Sequence, residues 1–262
     1  MTNNFLPVPK ILQWEHTLSQ THSCEQSILL TSGCSFTSST IQTKLAASWP
    51  GFVMDRCRFD LCIDYSFPGV GNDYICDSII YHMSQVPKHE MSKYMVIVMW
   101  SGTDRQENKV LDTSDPKGPI LGNTCYVVKR PITLTELSKA EQTKKSADKI
   151  IELCNYLTGI GVKFMFTLYS NILFPPYIPK RDTTYEFDNY IDKDKLAELR
   201  NLDWVPTRPM DFLYEYAFVN DFLNEGDHFH PPYACNLEWT DQVLLPGLLE
   251  KNLLRKTQIG NT

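Results

Sequence analysis

Four apolar segments recur along the chain, spaced so that a helix fits between each pair. They cover residues 27–32, 58–65, 94–100 and 163–169. The third and fourth segments, YMVIVMW and KFMFTLY, are continuously apolar, which is typical of parallel strands that helices cover on both faces. The pattern therefore predicts a parallel sheet buried between helices.

Between these strands the apolar residues repeat with a helical period. Residues 41–49 carry Ile, Leu and Trp four positions apart, and residues 75–83 carry Ile, Ile and Met at the same spacing. Asn72 or Asp73 is placed to cap the second of these helices. A third helix is predicted from about Thr135 to Thr158, ending at the two glycines that follow.

Strands that alternate with helices imply right-handed crossovers and an α/β fold, a three-layer α/β/α sandwich around a central parallel sheet. The segments 101–133 and 171–210 interrupt the alternation with polar, turn-rich and proline-rich sequence. Both follow strands, at the edge where doubly wound proteins bind ligands, so we interpret these insertions as walls of a substrate cleft. Helices over 211–223 and about 237–254 complete a predicted single domain spanning 1–262.

Composition and charge narrow the functional classes. The chain is 42% hydrophobic with a net charge of -6, and its Lys and Arg residues are scattered, which gives no support for nucleic-acid binding. No apolar stretch approaches the ~20 residues that span a bilayer, and the N-terminus lacks the pattern of a signal peptide. We therefore expect a cytoplasmic protein without a membrane partner. The eight cysteines form no CxxC pair, which favours reduced thiols over disulfides or a zinc site.

The segment TSGCSFT at 31–37 places small residues directly after the first strand. Ser35 would lie at the strand tip beside a helix N-terminus, where backbone N–H groups can stabilise an oxyanion. As an alternative, Ser35 could merely cap that helix, since the second glycine of a G-x-S-x-G elbow is missing. Cys34 is a further candidate nucleophile, although we expect it to be a small buried thiol.

A second candidate group lies near the other end of the chain, in GDHFHPP. Asp227 precedes His230 by three residues, so one turn supplies both a base for a serine hydroxyl and a carboxylate that orients the imidazole. As an alternative, Asp227, His228 and His230 could bind a metal. We favour the base and expect neither a metal nor a cofactor, with His228 lining the surface or the cleft.

These motifs resemble the SGNH (GDSL-like) hydrolases over about residues 27–250. The resemblance rests on Gly33-x-Ser35, on the glycine turn FPGVGND after the second strand, on a loop after the third strand, and on Asp227-x-x-His230-Pro. It implies a flavodoxin-like fold and a serine esterase mechanism. Ser35 would attack the ester, His230 would act as general base and then general acid, and Asp227 would orient His230.

The resemblance also implies an oxyanion hole. Its donors would be the backbone N–H of Ser35 and that of a glycine in the turn, with Gly69 favoured over Gly71 because the form Gly-x-x-Asn is frequent there. As an alternative, both glycines could serve turn geometry alone. The third motif departs from the family, because WSGTDRQE lacks the asparagine of Gly-x-Asn-Asp. Thr103 or Arg105 could replace that donor.

The sequence therefore predicts a serine esterase. Its substrate would be a short acyl ester, such as an O-acetyl group, on a carbohydrate or small molecule, with Trp100 and Arg105 as candidate substrate-binding residues. Aromatic residues could stack on a sugar ring or simply pack the insertions onto the core; they are Tyr169, Phe174, Tyr177, Tyr185 and Trp204.

Two other functions remain open. The missing asparagine would also suit a non-catalytic module that keeps the fold, and an acyltransferase would use the same residues. The form W-S-G-x-x-R is similar to a divergent branch of the family that we associate with viral and environmental sequences. The host cytoplasm or the virion would then be the location.

Overall fold

The computed structural model describes residues 10–13, 27–37, 48–111, 118–129, 135–175, 187–206, 208–224 and 230–254. Its strands are β1 (Lys10–Gln13), β2 (Ile28–Gly33), β3 (Leu61–Asp64), β4 (Tyr94–Trp100), β5 (Gln106–Val110), β6 (Ile120–Leu121), β7 (Thr124–Lys129) and β8 (Lys163–Leu168). Its helices are α1 (Trp49–Cys57), α2 (Asn72–Ser84), α3 (Glu136–Ile160), α4 (Lys193–Arg200), α5 (Leu213–Val219), α6 (Tyr233–Trp239) and α7 (Leu245–Glu250). A π-helical turn, Thr240–Leu244, joins α6 to α7.

The central sheet has the strand order β1-β3-β2-β4-β8. Strands β3, β2, β4 and β8 are parallel, as the four apolar segments predict, and β1 pairs antiparallel with β3 at the edge. The sequence analysis did not identify β1. The first parallel strand, β2, lies between β3 and β4, so the chain order reverses across the sheet at β2, the kind of position where doubly wound proteins bind ligands at the carboxyl edge.

Helices cover both faces of this sheet, which makes the three-layer α/β/α sandwich. Helices α2 and α3 pack together against β2, β4 and β8, whereas α1 packs against β2 and β3 and contacts α6 and the π-helical turn. Every residue of β4 is buried. A strand with both faces covered has no solvent face, which explains its uninterrupted apolar sequence.

The third predicted helix is confirmed almost residue for residue as α3. Thr135 caps its N-terminus by accepting a hydrogen bond from Ser138 N–H, and Gly161 ends it in the left-handed conformation with φ 71. The prediction for α2 was right in position and wrong in its cap. Its N-cap residue is Gly71, and neither Asn72 nor Asp73 caps it.

The insertion at 101–133 contains a second sheet. Its strands β5, β7 and β6 pair antiparallel in that order, where the sequence analysis expected a polar loop. Two cross-links hold this sheet against α2, because Lys109 Nζ and the hydroxyl of Tyr126 both donate to Asp77 Oδ2, at 2.5 and 2.6 Å. The strands QENKV and TCYVVK are short and show no regular alternation of apolar and polar residues, so the sequence pattern does not identify them.

The remaining elements shift the predicted boundaries. Of the helix predicted at 41–49, residues 41–47 lie outside the described residues, and α1 begins at Trp49. The helix predicted at 211–223 is shorter, α5, and the closing helix predicted from Leu237 begins earlier, with α6. The described part of the insertion at 171–210 includes α4.

Two further expectations concern membranes and thiols. None of the helices in the described segments combines the length and the apolar character that crossing a bilayer requires. The cysteines of the described segments are all free, as expected, and all but Cys154 are buried.

Candidate active site

The carboxyl end of β2 places Ser35 beside the loop that follows β3. Backbone hydrogen bonds continue beyond the paired strands, from Tyr65 N–H to Thr31 C=O at 2.9 Å and from Phe67 N–H to Gly33 C=O at 3.1 Å. The loop leading to Gly69 is thereby held against the end of β2. The residues predicted for the nucleophile and for the oxyanion hole thus lie on adjacent loops.

A tight turn after β2 sets the position of Ser35. Thr37 N–H donates to Cys34 C=O at 3.0 Å, and a Cβ atom added at Gly33 would lie 2.1 Å from Thr37 Oγ1. Only glycine therefore fits at the end of the strand. Ser35 is half-buried and Cys34 is fully buried, which confirms the expectation that Cys34 is a buried thiol.

The imidazole of His230 lies within hydrogen-bond distance of the Ser35 hydroxyl. Its Nε2 atom lies 2.9 Å from Ser35 Oγ, and the two residues are 195 positions apart. The backbone after His230 is held by Asn236, whose Nδ2 donates to the carbonyl oxygens of Pro231 and Pro232 at 3.1 Å each. Asn236 is buried in the first turns of α6, so the helix fixes the segment that presents the imidazole.

Phe36 packs on the imidazole. The ring centroids of Phe36 and His230 lie 5.0 Å apart, and those of Phe36 and Tyr169 lie 4.7 Å apart. Tyr169 is in turn fixed by backbone hydrogen bonds on both sides, from its N–H to Trp100 C=O and from Tyr214 N–H to its C=O. This aromatic wall restricts the orientation of His230 and forms one side of the space next to Ser35.

Two residues predicted for this site, Asp227 and His228, lie outside the described residues. The triad of Ser35, His230 and Asp227 and the metal alternative with His228 therefore stay predictions. One group of possible metal ligands, Cys76, Asp77 and Glu152, occurs within the described segments.

The two carboxylates of this group already bind the ammonium group of Lys149. Lys149 Nζ lies 2.7 Å from Glu152 Oε2 and 3.3 Å from Asp77 Oδ1. Burial raises the pKa of Cys76, which keeps its sulfur protonated and a poor metal ligand. The cluster is therefore better explained as an ion-pair network between α2 and α3 than as a metal site.

The two glycines predicted for the oxyanion hole differ in what their N–H groups contact. Gly71 N–H donates to Glu107 Oε1 at 2.9 Å, so that donor is occupied. No acceptor among the described residues binds Gly69 N–H, and Gly69 has φ +86, which only glycine adopts easily. Of the two glycines, only Gly69 has an N–H group that no described residue accepts from, which an oxyanion donor requires.

Three residues at the end of β4 and directly after it were predicted to bind substrate or the oxyanion, and all three are buried. Trp100 and Thr103 are both 0% exposed, and Trp100 packs edge-on against Phe166, so neither side chain has a surface that a substrate could contact. Arg105 is 7% exposed, and its Nη1 donates to Val70 C=O. The structure therefore gives no support to these predicted roles, which stay predictions.

The aromatic residues considered for sugar stacking instead pack the structure. Tyr169 and Trp204 are 4% and 2% exposed, and Phe174 stacks on Phe212 with centroids 6.1 Å apart. Tyr177 and Tyr185 lie outside the described residues. For the three that are described, the packing alternative is the one that the structure supports.

Sequence reasoning missed the residues that hold the site loops. Asn72 was considered as a helix cap, but its carboxamide pairs with the backbone of Ser101, accepting from N–H at 2.8 Å and donating to C=O at 3.2 Å. Glu107 and Asn236 were not singled out. Their partners lie on other elements or depend on a turn geometry, so no local pattern could have identified them.

Comparisons with known proteins give structural similarities only. No protein-family model matches the chain, and no curated protein does. Among solved structures, TesA is 13% identical over 87% of this chain and 100% of that chain, with a TM-score of 0.44. The psychrotrophic esterase EstA from Pseudoalteromonas sp. is 14% identical over 87% and 98%, with a TM-score of 0.47. A G-D-S-L family lipolytic protein from Veillonella parvula is 10% identical over 86% and 97%, with a TM-score of 0.46.

Proposed function

We propose that this protein is a serine esterase of the SGNH type. The observation that carries the proposal is the 2.9 Å approach of His230 Nε2 to Ser35 Oγ. A serine hydroxyl becomes nucleophilic when a neighbouring base accepts its proton, and this distance is within the range for such a transfer. The pair lies at the carboxyl edge of a parallel sheet, where α/β proteins commonly bind ligands.

The reaction would proceed through an acyl-enzyme. Ser35 Oγ attacks the ester carbonyl while His230 Nε2 takes the hydroxyl proton, and the protonated imidazole then gives that proton to the departing alkoxide. Water attacks the acyl-enzyme next, with its proton passing through His230, and the carboxylic acid and free Ser35 are released. Asp227 would hold the imidazole with its other nitrogen protonated, so that Nε2 can accept.

The negative charge on the carbonyl oxygen needs donors that are in place beforehand. We assign these to the backbone N–H groups of Ser35 and Gly69, neither of which donates to another described residue. Both lie on the adjacent loops after β2 and β3. Phe36 would bound the acyl group, which favours a short one such as acetyl, on a carbohydrate or other small molecule.

A non-catalytic binding module is the second candidate. The fully buried side chain of Thr103 favours it, because the described residues then offer the site two backbone donors and no side-chain donor in place of the family's asparagine. Losing one oxyanion donor typically lowers turnover about a hundredfold or more. We favour the esterase because a module without catalysis would have no need of a histidine held against a serine.

The test is hydrolysis of p-nitrophenyl acetate by the wild-type protein and by Ser35→Ala. We expect turnover to fall on the order of a thousandfold or more, because the nucleophile is lost. Ser84→Ala is a matched control, since Ser84 is exposed at the far end of α2 and bonds only Tyr81 C=O. Equal rates for wild type and Ser35→Ala would reject the esterase, and a product formed with an added alcohol acceptor would indicate acyl transfer.

A further inference from the structure

One buried carboxylate of the small inserted sheet lies at the start of α2. Glu107 on β5 is 7% exposed, and its two oxygens accept hydrogen bonds from Gly71 N–H at 2.9 Å and from Tyr74 N–H at 3.1 Å. Helix α2 has no side-chain cap of its own. Because the first N–H groups of a helix lack intrahelical partners, Glu107 serves as the cap of α2 from another element.

Gly71 makes room for this carboxylate. A Cβ atom at position 71 would lie 2.9 Å from Glu107 Oε2 and 3.2 Å from the Cβ atom of Arg105. The φ angle of Gly71 is -100, which any residue adopts, so backbone conformation does not require glycine here. Close approach of the inserted sheet is the reason for a glycine at this position.

The segment 101–107 also binds the two residues that flank Gly71. Arg105 Nη1 donates to Val70 C=O, and the backbone of Ser101 pairs with the Asn72 carboxamide. Three consecutive loop residues, 70 to 72, are thus each bound by the segment 101–107. Gly69, the donor proposed above, directly precedes them.

Keeping a carboxylate at this position opposes folding. Burial raises the pKa of Glu107 to about 7, although backbone N–H groups of Gly71, Tyr74 and Asp73 favour the charged form. No ion pair reaches Glu107 among the described residues. The charged and titratable groups around it are Arg105 on its own segment, Asp73 and Tyr74 on α2, Tyr126 on β7, and Lys145 on α3, which is paired with Asp73.

We propose that Glu107 is a positioning residue: it holds the Gly69–Asn72 turn so that Gly69 N–H faces the oxyanion formed at Ser35. This inference rests on the proposed esterase function. Gly71 N–H and Tyr74 N–H donate to different oxygens of Glu107, so both oxygens act as acceptors, as they do in an ionised carboxylate. The inserted sheet thereby acts as a brace for the oxyanion hole.

The kinetic test compares the wild type with Glu107→Gln. Glutamine has the same shape but one acceptor oxygen, and its NH2 group would face one of the two N–H donors. We expect kcat to fall about 10- to 100-fold, as for a small displacement of a catalytic group, and KM to change less than about threefold. Asn108→Ala is the matched control on the same strand: Asn108 is exposed next to Glu107, and its truncation should leave kcat within about twofold.

Two further measurements separate positioning from a purely structural role. The acid limb of the pH profile of kcat/KM should differ between the wild type and Glu107→Gln, because only the wild type has a carboxylate at position 107 that takes up a proton as the pH falls below about 7. Amide hydrogen exchange at Gly71 and Tyr74 should be faster in the variant. This second measurement does not depend on activity.

The outcomes distinguish a failure of the positioning role from a failure of the esterase function. An unchanged kcat in Glu107→Gln, or an equal loss in Asn108→Ala, overturns the positioning role and leaves the esterase intact. A wild-type rate that Ser35→Ala does not lower rejects the esterase, and the positioning role with it. If Glu107→Gln does not fold, Glu107→Asp replaces it, because the shorter carboxylate cannot reach both N–H groups and should lower kcat in the same way.

Discussion

Helices α2 and α3 lie side by side on one face of the sheet but begin in different ways. Thr135 caps α3 locally, accepting from Ser138 N–H three positions ahead at 3.2 Å. Glu107 caps α2 from 36 positions away, through a strand of the inserted sheet. The cap of α3 is therefore a property of the helix's own sequence. The cap of α2 forms only when the inserted sheet packs against that helix.

The two caps also differ in their surroundings. Thr135 is exposed, and its hydroxyl carries no charge to desolvate. Glu107 is buried, and its carboxylate opposes folding whenever it is ionised. The unfavourable cap is the one beside the candidate active site, which fits the general tendency of functional sites to retain groups that reduce stability.

The largest expected effect of the buried cap is on the pH dependence of stability. The pKa of Glu107 rises from 4.5 in the unfolded chain to about 7 in the folded protein. Below about pH 4.5 both states hold the proton; as the pH rises towards 7 the unfolded chain releases it first. The free energy of unfolding of the wild type should therefore fall relative to Glu107→Gln, by up to about 3 kcal/mol. Urea unfolding of both proteins at pH 4.5, 6 and 8 measures this.

A carboxylate in the first turn of α3 provides the contrast. Hydrogen bonds from Lys139 and Tyr190 lower the pKa of the exposed Glu136, so its contribution is present above its unfolded pKa and is lost as the pH falls. The wild type should gain stability relative to Glu136→Gln as the pH rises, the opposite sign. Parallel pH curves for wild type and Glu107→Gln would contradict a raised pKa at Glu107.

A methyl group at Gly71 tests the long-range cap from the helix side. In Gly71→Ala the added atom would push the Glu107 carboxylate away from the N–H groups that it caps. We expect kcat for p-nitrophenyl acetate to fall about tenfold, in line with a displaced oxyanion loop. Gly159→Ala in α3 is the control, since nothing lies within 4 Å of its added atom. Full activity in Gly71→Ala would show that the loop does not depend on Glu107.

The smallest effect concerns the local cap. Thr135→Ala removes the acceptor for Ser138 N–H and should lower the free energy of unfolding by about 1 kcal/mol. Turnover should not change, because the side chain of Thr135 is exposed and bonds Ser138 within its own helix. Thermal unfolding and ester hydrolysis on the same preparation check both statements. A loss of turnover would contradict the view that only the cap of α2 affects the candidate active site.

The sequence analysis succeeded where periodicity or a local motif carried the information. The four parallel strands and α3 follow from runs of apolar residues and from a threonine and a glycine at the helix ends. Ser35 and His230 were paired on a family resemblance, and the structure brings their side chains to 2.9 Å. The sheet topology explains this proximity, since Ser35 follows the strand at its centre.

A local pattern gives no information where a contact joins elements that are distant along the chain. Trp100, at the end of a central strand, and Thr103, in the motif that follows it, were predicted at the site, yet both are fully buried. Strand β1 is four residues long and pairs at the edge, so its pattern is too short to stand out. Glu107 gave no signal because a glutamate in a polar strand is ordinarily exposed.

By itself, the order of apolar and polar residues determined the layers of this protein and the strand end that carries its candidate nucleophile. Those features depend on burial and on local backbone preference, which each segment expresses alone. Only the tertiary structure decided which N–H groups remain available for a substrate, because that depends on which distant side chains already occupy them. Gly69 and Gly71 are two positions apart in sequence, and a carboxylate on another strand separates their roles.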